Sequence, residues 1–200
     1  MYHKLFSIPI NRLDVDNFSK IKNEIISFCY KEKEYDKRGN IKFVKNGWQS
    51  NPLEHKNNLI IDKFVPSLVD YFQEKNVFKK GTTIKLGKVW INIGHTGAYN
   101  PSRNHPKSDL SGIFWINVPE HSGDIIFTNP IAYSNFGLNE ALSEGFKKST
   151  NFYSSYSIKP LEGNIILFPS FLMHEISDNN NVKDRINISF NIMVDSNSQY

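Results

Sequence analysis

The scarce chemistry-bearing side chains are four arginines (Arg12, Arg38, Arg103, Arg185) and six histidines (His3, His55, His95, His105, His121, His174). Most of the histidines read as ordinary surface or loop residues. His174 stands apart because of its surroundings. A turn (Glu162-Gly163-Asn164) and an apolar run ending in Phe168-Pro169 precede it, and Arg185 follows eleven residues later. Arg185 opens the alternating stretch Ile186-Asn187-Ile188-Ser189-Phe190-Asn191-Ile192. On a strand this puts Arg185, Asn187, Ser189 and Asn191 on one face and the apolar residues on the other. A solvent-facing edge strand explains that pattern; so does a polar pocket inside a barrel. In the second case the chemistry is specific. A planar guanidinium binds a carboxylate with two parallel hydrogen bonds, and a nearby imidazole holds a metal. The pair would anchor a small dicarboxylate that also chelates the metal.

Positioning such a pair requires strands, and the second half of the chain supplies them. After Gly81 the apolar period becomes two. Strands are expected over 84–93, Leu110–Val118, Asp124–Thr128, Phe152–Lys159, Asn164–Phe168 and Ile186–Val194, with turn residues between them. The segment Ala132–Thr150 reads as a longer insertion holding a short helix. The first part of the chain is helical. Phe18, Ile21, Ile25, Ile26 and Cys29 form one stripe, with Asp14 or Asp16 as N-cap. Ile60, Phe64, Leu68 and Tyr71 form a second, in which Pro66 either kinks the helix or marks its first turn. The charged run Lys31–Asn40 reads as a loop. Helices first and short strands afterwards predict an α+β fold with a jelly-roll core. Residues 1–200 read as a single domain, helical over about 1–80 and β over about 81–195.

Composition removes several function classes. Two hundred residues suffice for a core without staples. One cysteine excludes a disulfide framework and a cysteine zinc site, and fits a reducing cytoplasm. No apolar run approaches the ~18 residues of a membrane span, and Met1-Tyr2-His3-Lys4 does not open a signal peptide. The net charge of +4 comes from scattered lysines interleaved with acids, which reads as a solvated basic surface rather than a nucleic-acid face.

The His174…Arg185 pair, Leu5-Phe6-Ser7-Ile8-Pro9-Ile10, Asn46-Gly47-Trp48-Gln49-Ser50, Ser122-Gly123-Asp124, Asn129-Pro130 and Phe168-Pro169-Ser170 occur in a recognisable order. The strongest segment is His105-Pro106-Lys107-Ser108-Asp109-Leu110-Ser111-Gly112-Ile113-Phe114-Trp115. Together, over nearly the whole chain, they resemble the 2-oxoglutarate/Fe(II)-dependent oxygenases, in the His-x-His form common in phages and marine bacteria. The resemblance implies a double-stranded β-helix with N-terminal helices packed on it and a facial triad of metal ligands at one open end. It implies Fe(II) and the co-substrate 2-oxoglutarate, and a reaction that couples decarboxylation to succinate with hydroxylation of a substrate C–H bond. His105 and His174 match metal ligands. Arg185 and Asn187 match the holders of the distal carboxylate of 2-oxoglutarate, and Asn92 is either a further contact to it or a strand-edge residue.

The sequence departs from the family at the first ligand position, where Arg103 stands. A guanidinium has no lone pair for a metal. Three readings stay open: Asp109 or His95 completes the site, iron binds through two histidines plus 2-oxoglutarate and water, or the chain is a non-catalytic jelly-roll module, for instance in a phage particle. Of Trp48, Trp90 and Trp115, only Trp48 sits in a loop that reaches the barrel opening. That loop and Ala132–Thr150 are the expected specificity elements for a small-molecule or side-chain substrate. Phe114 and Trp115 point to opposite faces, so one of them lines the interior.

Overall fold

The computed structural model describes residues 7–40, 44–55, 58–131 and 137–195. Leu5, Phe6, His3 and the first part of the insertion, 132–136, lie outside them. Nine antiparallel strands run β1 (Asn11–Asp14), β2 (Lys45–Gln49), β3 (Thr83–Arg103), β4 (Leu110–Asn117), β5 (Ile125–Thr128), β6 (Ser155–Ile158), β7 (Asn164–Pro169), β8 (His174–Ile176) and β9 (Arg185–Asp195). Helices α1 (Phe18–Tyr35) and α2 (Leu59–Glu74) precede the barrel, and the short α3 (Leu138–Ala141) and α4 (Glu144–Thr150) lie in the insertion. No helix among the described residues is long and apolar enough to cross a membrane.

Strand alternation builds two sheets. The larger has the order β1-β7-β4-β9-β3, with β2 also on β3; the smaller has the order β3-β8-β5-β6. From β4 onward the chain crosses repeatedly between the sheets, with β4, β7 and β9 in the larger and β5, β6 and β8 in the smaller, which gives the expected jelly roll. The 21-residue β3 belongs to both sheets. It pairs with β9 up to Gly94↔Arg185, then with β8 at Asn100↔Ile176 and Arg103↔His174. Paired residues on antiparallel strands point to the same side, so the registers define each face. Val89, Ile91, Ile93, Phe114, Ile116, Ile165, Leu167, Ile186, Ile188, Phe190 and Ile192 form the outer face, buried under α1 and α2. Phe64 of α2 lies 4.9 Å from Phe190 and 5.9 Å from Phe114, ring to ring. Ile113, Trp115, Ile125, Phe127, Ile166, Phe168, Leu172 and Ile176 fill the space between the sheets. Trp115 is thus the interior member of the Phe114-Trp115 pair.

Several sequence expectations change. β9 lies between β4 and β3, not at an edge, because its apolar face is needed under the helices. Helix α1 runs through Lys31–Tyr35, since its exposed charges are compatible with a helix whose other face is buried. Its N-cap is Asn17, at φ 52°, rather than Asp14 or Asp16. Asp14 instead accepts a hydrogen bond from Asn164 Nδ2. Pro66 sits well inside α2, whose start is set by Asn58 accepting from the amides of Ile60 and Ile61. Trp48 is not at the opening. It is buried in the outer core, and its Nε1 donates to the Asp36 carbonyl at 2.8 Å.

Candidate active site

The end of β3 and the start of β8 assemble the imidazoles. Arg103 and His174 are register partners, and His105 follows Arg103 by two residues, its amide donating to the Ser170 carbonyl at 2.9 Å. The His105 and His174 rings are 5.2 Å apart and inclined by 27°, nearly stacked. Aromatic walls enclose them: Trp90 is 5.6 Å from His105, and Phe168 and Phe127 are 4.7 and 6.2 Å from His174. His174 Nδ1 lies 3.0 Å from the Leu172 carbonyl. A carbonyl only accepts, so Nδ1 carries the proton and Nε2 presents a lone pair. Burial first, and the Arg103 charge after it, hold His174 down to about 3 and His105 down to about 4. Two neutral imidazoles with lone pairs can bind a metal. Arg103 is buried beside them, its Nη1 donating to the Pro101 carbonyl at 3.2 Å, and burial lowers its pKa to about 10. It therefore stays a cation at neutral pH.

Deeper in the barrel, cross-strand pairing makes a polar row. Trp115 faces Asn187, which faces Asn92; one step along, Ile113 faces Ser189, which faces Trp90. Asn92 Nδ2 donates to Asn187 Oδ1 (2.9 Å) and Ser189 Oγ (3.0 Å). Asn92 is therefore an interior residue and not a strand-edge one. Its Oδ1, together with Trp115 Nε1 and Ser122 Oγ, is buried without a hydrogen-bond partner. Orphaned buried polar atoms are costly and mark places where a bound molecule belongs. Arg185 is 1% exposed, and its Nη1 donates to the carbonyls of Ser122 and Ser177, its Nη2 to that of Ala98 at 3.3 Å. Two glycines make its room. A Cβ on Gly123 would come within 2.7 Å of Nη1, and one on Gly94 would stand 3.6 Å from Nη2 and 3.8 Å from Nε.

The two alternative third ligands are elsewhere. His95 is on the helix side, with Nδ1 2.6 Å from Asp184 and Nε2 2.9 Å from Lys33 Nζ. The Asp109 carboxylate accepts from the Val194 amide at 2.7 Å. Among the described residues no group of three His, Cys, Asp or Glu side chains converges. Sequence reasoning also missed Trp90 and Ser122 as site residues, and left Ser189, on the polar face, and Trp115 without roles. The parity that placed Asn187 inside places Ser189 there too, and the register partner of Asn187 is Trp115.

A family model described as "Putative 2OG-Fe(II) oxygenase" matches residues 88–191, more than half of the chain. The chain belongs to the 2OG-Fe(II) oxygenase family. Solved structures of like fold include a prolyl-4-hydroxylase from Pseudomonas putida (TM-score 0.58, 9% identity, 94% of this chain and 93% of that one). A viral collagen prolyl hydroxylase from Paramecium bursaria Chlorella virus-1, in complex with 2OG, gives 0.56 at 13% identity over 92% and 94%. The epimerase SnoN from nogalamycin biosynthesis gives 0.63 at 9% over 93% and 76%. At these identities the likeness is one of fold. No curated protein matches the sequence. Membership makes the protein a 2-oxoglutarate-dependent dioxygenase, with Fe(II) and 2-oxoglutarate as its cofactors. The donor set of this oxygenase fits a metal held by two imidazoles, with other positions filled from the co-substrate and solvent. Among the described residues it does not fit a triad made of three protein side chains.

Proposed function

We propose that this oxygenase, of the phage-type His-x-His branch with Arg103 in the first ligand position, hydroxylates a substrate C–H bond at the barrel end, in a reducing cytoplasm. In this reading His105 and His174 are the two protein ligands of Fe(II). Arg185, Asn187 and Asn92 hold 2-oxoglutarate. When bound, the iron supplies the activation of dioxygen that couples conversion of 2-oxoglutarate to succinate with oxidation of the substrate. The chain's own residues do the rest. The backbone bond from His174 Nδ1 to Leu172 fixes the tautomer that offers Nε2. Trp90 packs beside His105, and Phe127 and Phe168 beside His174, which holds the rings in place. Asn92 orients the Asn187 amide and is left with an acceptor aimed into the barrel.

The observation that carries the reading is the neutral, stacked imidazole pair at the end of the same strand whose Asn92 lies in the polar row. The prolyl hydroxylases among the proteins of like fold support hydroxylation as the outcome. The buried Arg103 favours a second reading, a jelly-roll module that binds a ligand without turning it over. Succinate release from 2-oxoglutarate under oxygen, with added Fe(II), separates the two. Release in the wild type that disappears in His174→Ala supports the oxygenase; none in either protein supports the binding module.

A further inference from the structure

Arg185 is the first residue of β9, and Gly94↔Arg185 is the last pair that joins β9 to β3. Beyond that pair β3 leaves for β8, so Arg185 sits at a strand end, where ladders fray. A cluster of polar side chains on the other side of the sheet closes this end. Strand parity turns Gly94 and Arg185 into the barrel, and His95 and Asp184 outward toward α1. Tyr30 and Lys33, three residues apart on α1, share one face of that helix. Tyr30 Oη donates to Asp184 Oδ2 at 2.7 Å. His95 Nδ1 lies 2.6 Å from Asp184 Oδ1, and Lys33 Nζ lies 2.9 Å from His95 Nε2.

The donors and acceptors of these four groups leave one arrangement of protons. A lysine ammonium only donates, so His95 Nε2 accepts, and the neutral imidazole carries its proton on Nδ1. That proton goes to the Asp184 carboxylate. Burial first, and Asp184 after it, push the Tyr30 hydroxyl above its ordinary range, so it too stays a donor. The backbone is held as well. The Asp184 carbonyl accepts from Asn117 Nδ2 of β4 at 2.7 Å. Asn179 Nδ2 donates to the carbonyls of Gly94 and Lys183, at 3.0 Å each. Residue 184 is thus tied to α1, β3 and β4, and the next side chain along the strand is the guanidinium.

We propose that Asp184 is a positioning residue for the co-substrate: with His95, Tyr30 and Lys33 it fixes the end of β9, and so sets where the Arg185 guanidinium meets a 2-oxoglutarate carboxylate. The inference rests on the reading of Arg185 as the holder of that carboxylate. None of the four residues touches the co-substrate, and their effect passes through the backbone between residues 184 and 185. A guanidinium holds a carboxylate through two parallel hydrogen bonds, a geometry that tolerates little displacement. The carbonyls of Ser122, Ser177 and Ala98 steady the guanidinium end of the side chain, and the outer cluster steadies its backbone end. Loosening the cluster weakens the grip on 2-oxoglutarate. It leaves the imidazoles, which are held by other contacts, in place.

The test is calorimetric titration of 2-oxoglutarate into the protein in excess Mn(II), joined to succinate formation with Fe(II), which reads KM for 2-oxoglutarate against kcat. Asp184→Ala should weaken 2-oxoglutarate binding by about tenfold, in the range of coupling between neighbours in one network. KM should rise by the same factor while kcat at saturating 2-oxoglutarate stays as in wild type. The side chain of His95 is 42% exposed, so changes there remove hydrogen bonds without opening a cavity. His95→Leu should weaken 2-oxoglutarate in the same direction. His95→Gln should bind it like wild type, because the amide donates to Asp184 and accepts from Lys33 as the neutral imidazole does. A purely structural cluster would lower the melting temperature of these variants and leave the affinity unchanged. Equal 2-oxoglutarate affinity in wild type, Asp184→Ala and His95→Leu therefore overturns the inference, as does a fall in kcat at unchanged KM. So does an equal loss in His95→Leu and His95→Gln. A wild type that binds no 2-oxoglutarate in Mn(II) sinks the reading of Arg185 instead. The calorimetric comparison of the two His95 variants decides the matter without turnover, and even if Asp184→Ala fails to fold.

Discussion

Arg185, the proposed holder of a 2-oxoglutarate carboxylate, is also a structural residue. Its guanidinium joins the Ser122 loop, the end of β8 at Ser177 and the bend of β3 at Ala98. Replacing it with Met strands three carbonyls in a buried place, so denaturant unfolding should show a loss of about 3 kcal/mol or more; a variant as stable as wild type refutes that locking role. Gly123→Ala strikes the same lock from the other side. At φ +91° a Cβ would meet the Ser177 carbonyl at 2.3 Å, and refolding yield as well as stability should fall. His174→Ala should abolish Mn(II) uptake measured in the presence of 2-oxoglutarate, since it removes one of two imidazoles; retained uptake would refute the proposed ligand. At this scale the sequence told much. The spacing of His174 and Arg185 and the alternation after Arg185 point to an interior site. The rest was hidden because it depends on pairing across the sheets. Nothing near Arg103 in the chain says that it will sit beside His174, seventy residues on. His95 stood as a candidate third ligand, until the register shift in β3 between Asn100 and Arg103 left it on the helix side while His105 faces His174.

At the scale of elements, period two marked most of the strands, and it failed where strands are short or irregular. β1, β2 and β8 have four, five and three residues, too few to show alternation. The buried outer face made β9 a central strand, yet a polar row opposite an apolar one reads equally well as an edge. Gly112 records how tightly that face is packed. It is the register partner of Phe190, and a Cβ there would lie 2.1 Å from the ring. Gly112→Ala should therefore cost about 1–3 kcal/mol by overpacking, and adding Phe190→Leu should return part of it in a double-mutant cycle. Helix α1 offers a check by pH. Burial pushes the Cys29 thiol from 9.0 up to about 12, so the fold favours the protonated form. The native state then holds more protons than the unfolded chain between those values. Its stabilising effect is full below pH 9 and is lost as the pH rises toward 12. Thiol reagents at pH 8 should leave Cys29 unmodified until the protein is denatured; prompt labelling of the native protein would contradict its burial.

Taken whole, the molecule is a barrel under a helical cover, and its stability should answer to a bound co-substrate. A ligand that binds only the folded state at a hundred times its Kd stabilises by about 2.7 kcal/mol. For a chain of this size that is a rise in melting temperature of about 5–10 °C. Scanning calorimetry in the presence of Mn(II) should show such a rise with 2-oxoglutarate, and none with a monocarboxylate such as acetate. No shift with either acid argues against the proposed 2-oxoglutarate site.

The strand order also has a consequence for how the protein is made. β1 pairs with β7, and β3 closes both sheets through β8 and β9, so the decisive pairings join residues far apart in the chain, from Arg103↔His174 to Asn11↔Leu167. Such a fold forms slowly, because long loops must close before any contact rewards them. During translation the apolar faces of β3 and β4 emerge from the ribosome before β9 exists to lie between them. The nascent chain therefore carries an open, sticky sheet until residues near 195 are released, which is the period when it depends on chaperones and is most prone to aggregate. A chain cut before Arg185 would lose the strand that joins the two halves of the larger sheet, and would be recovered from cells as insoluble material rather than as a smaller folded protein.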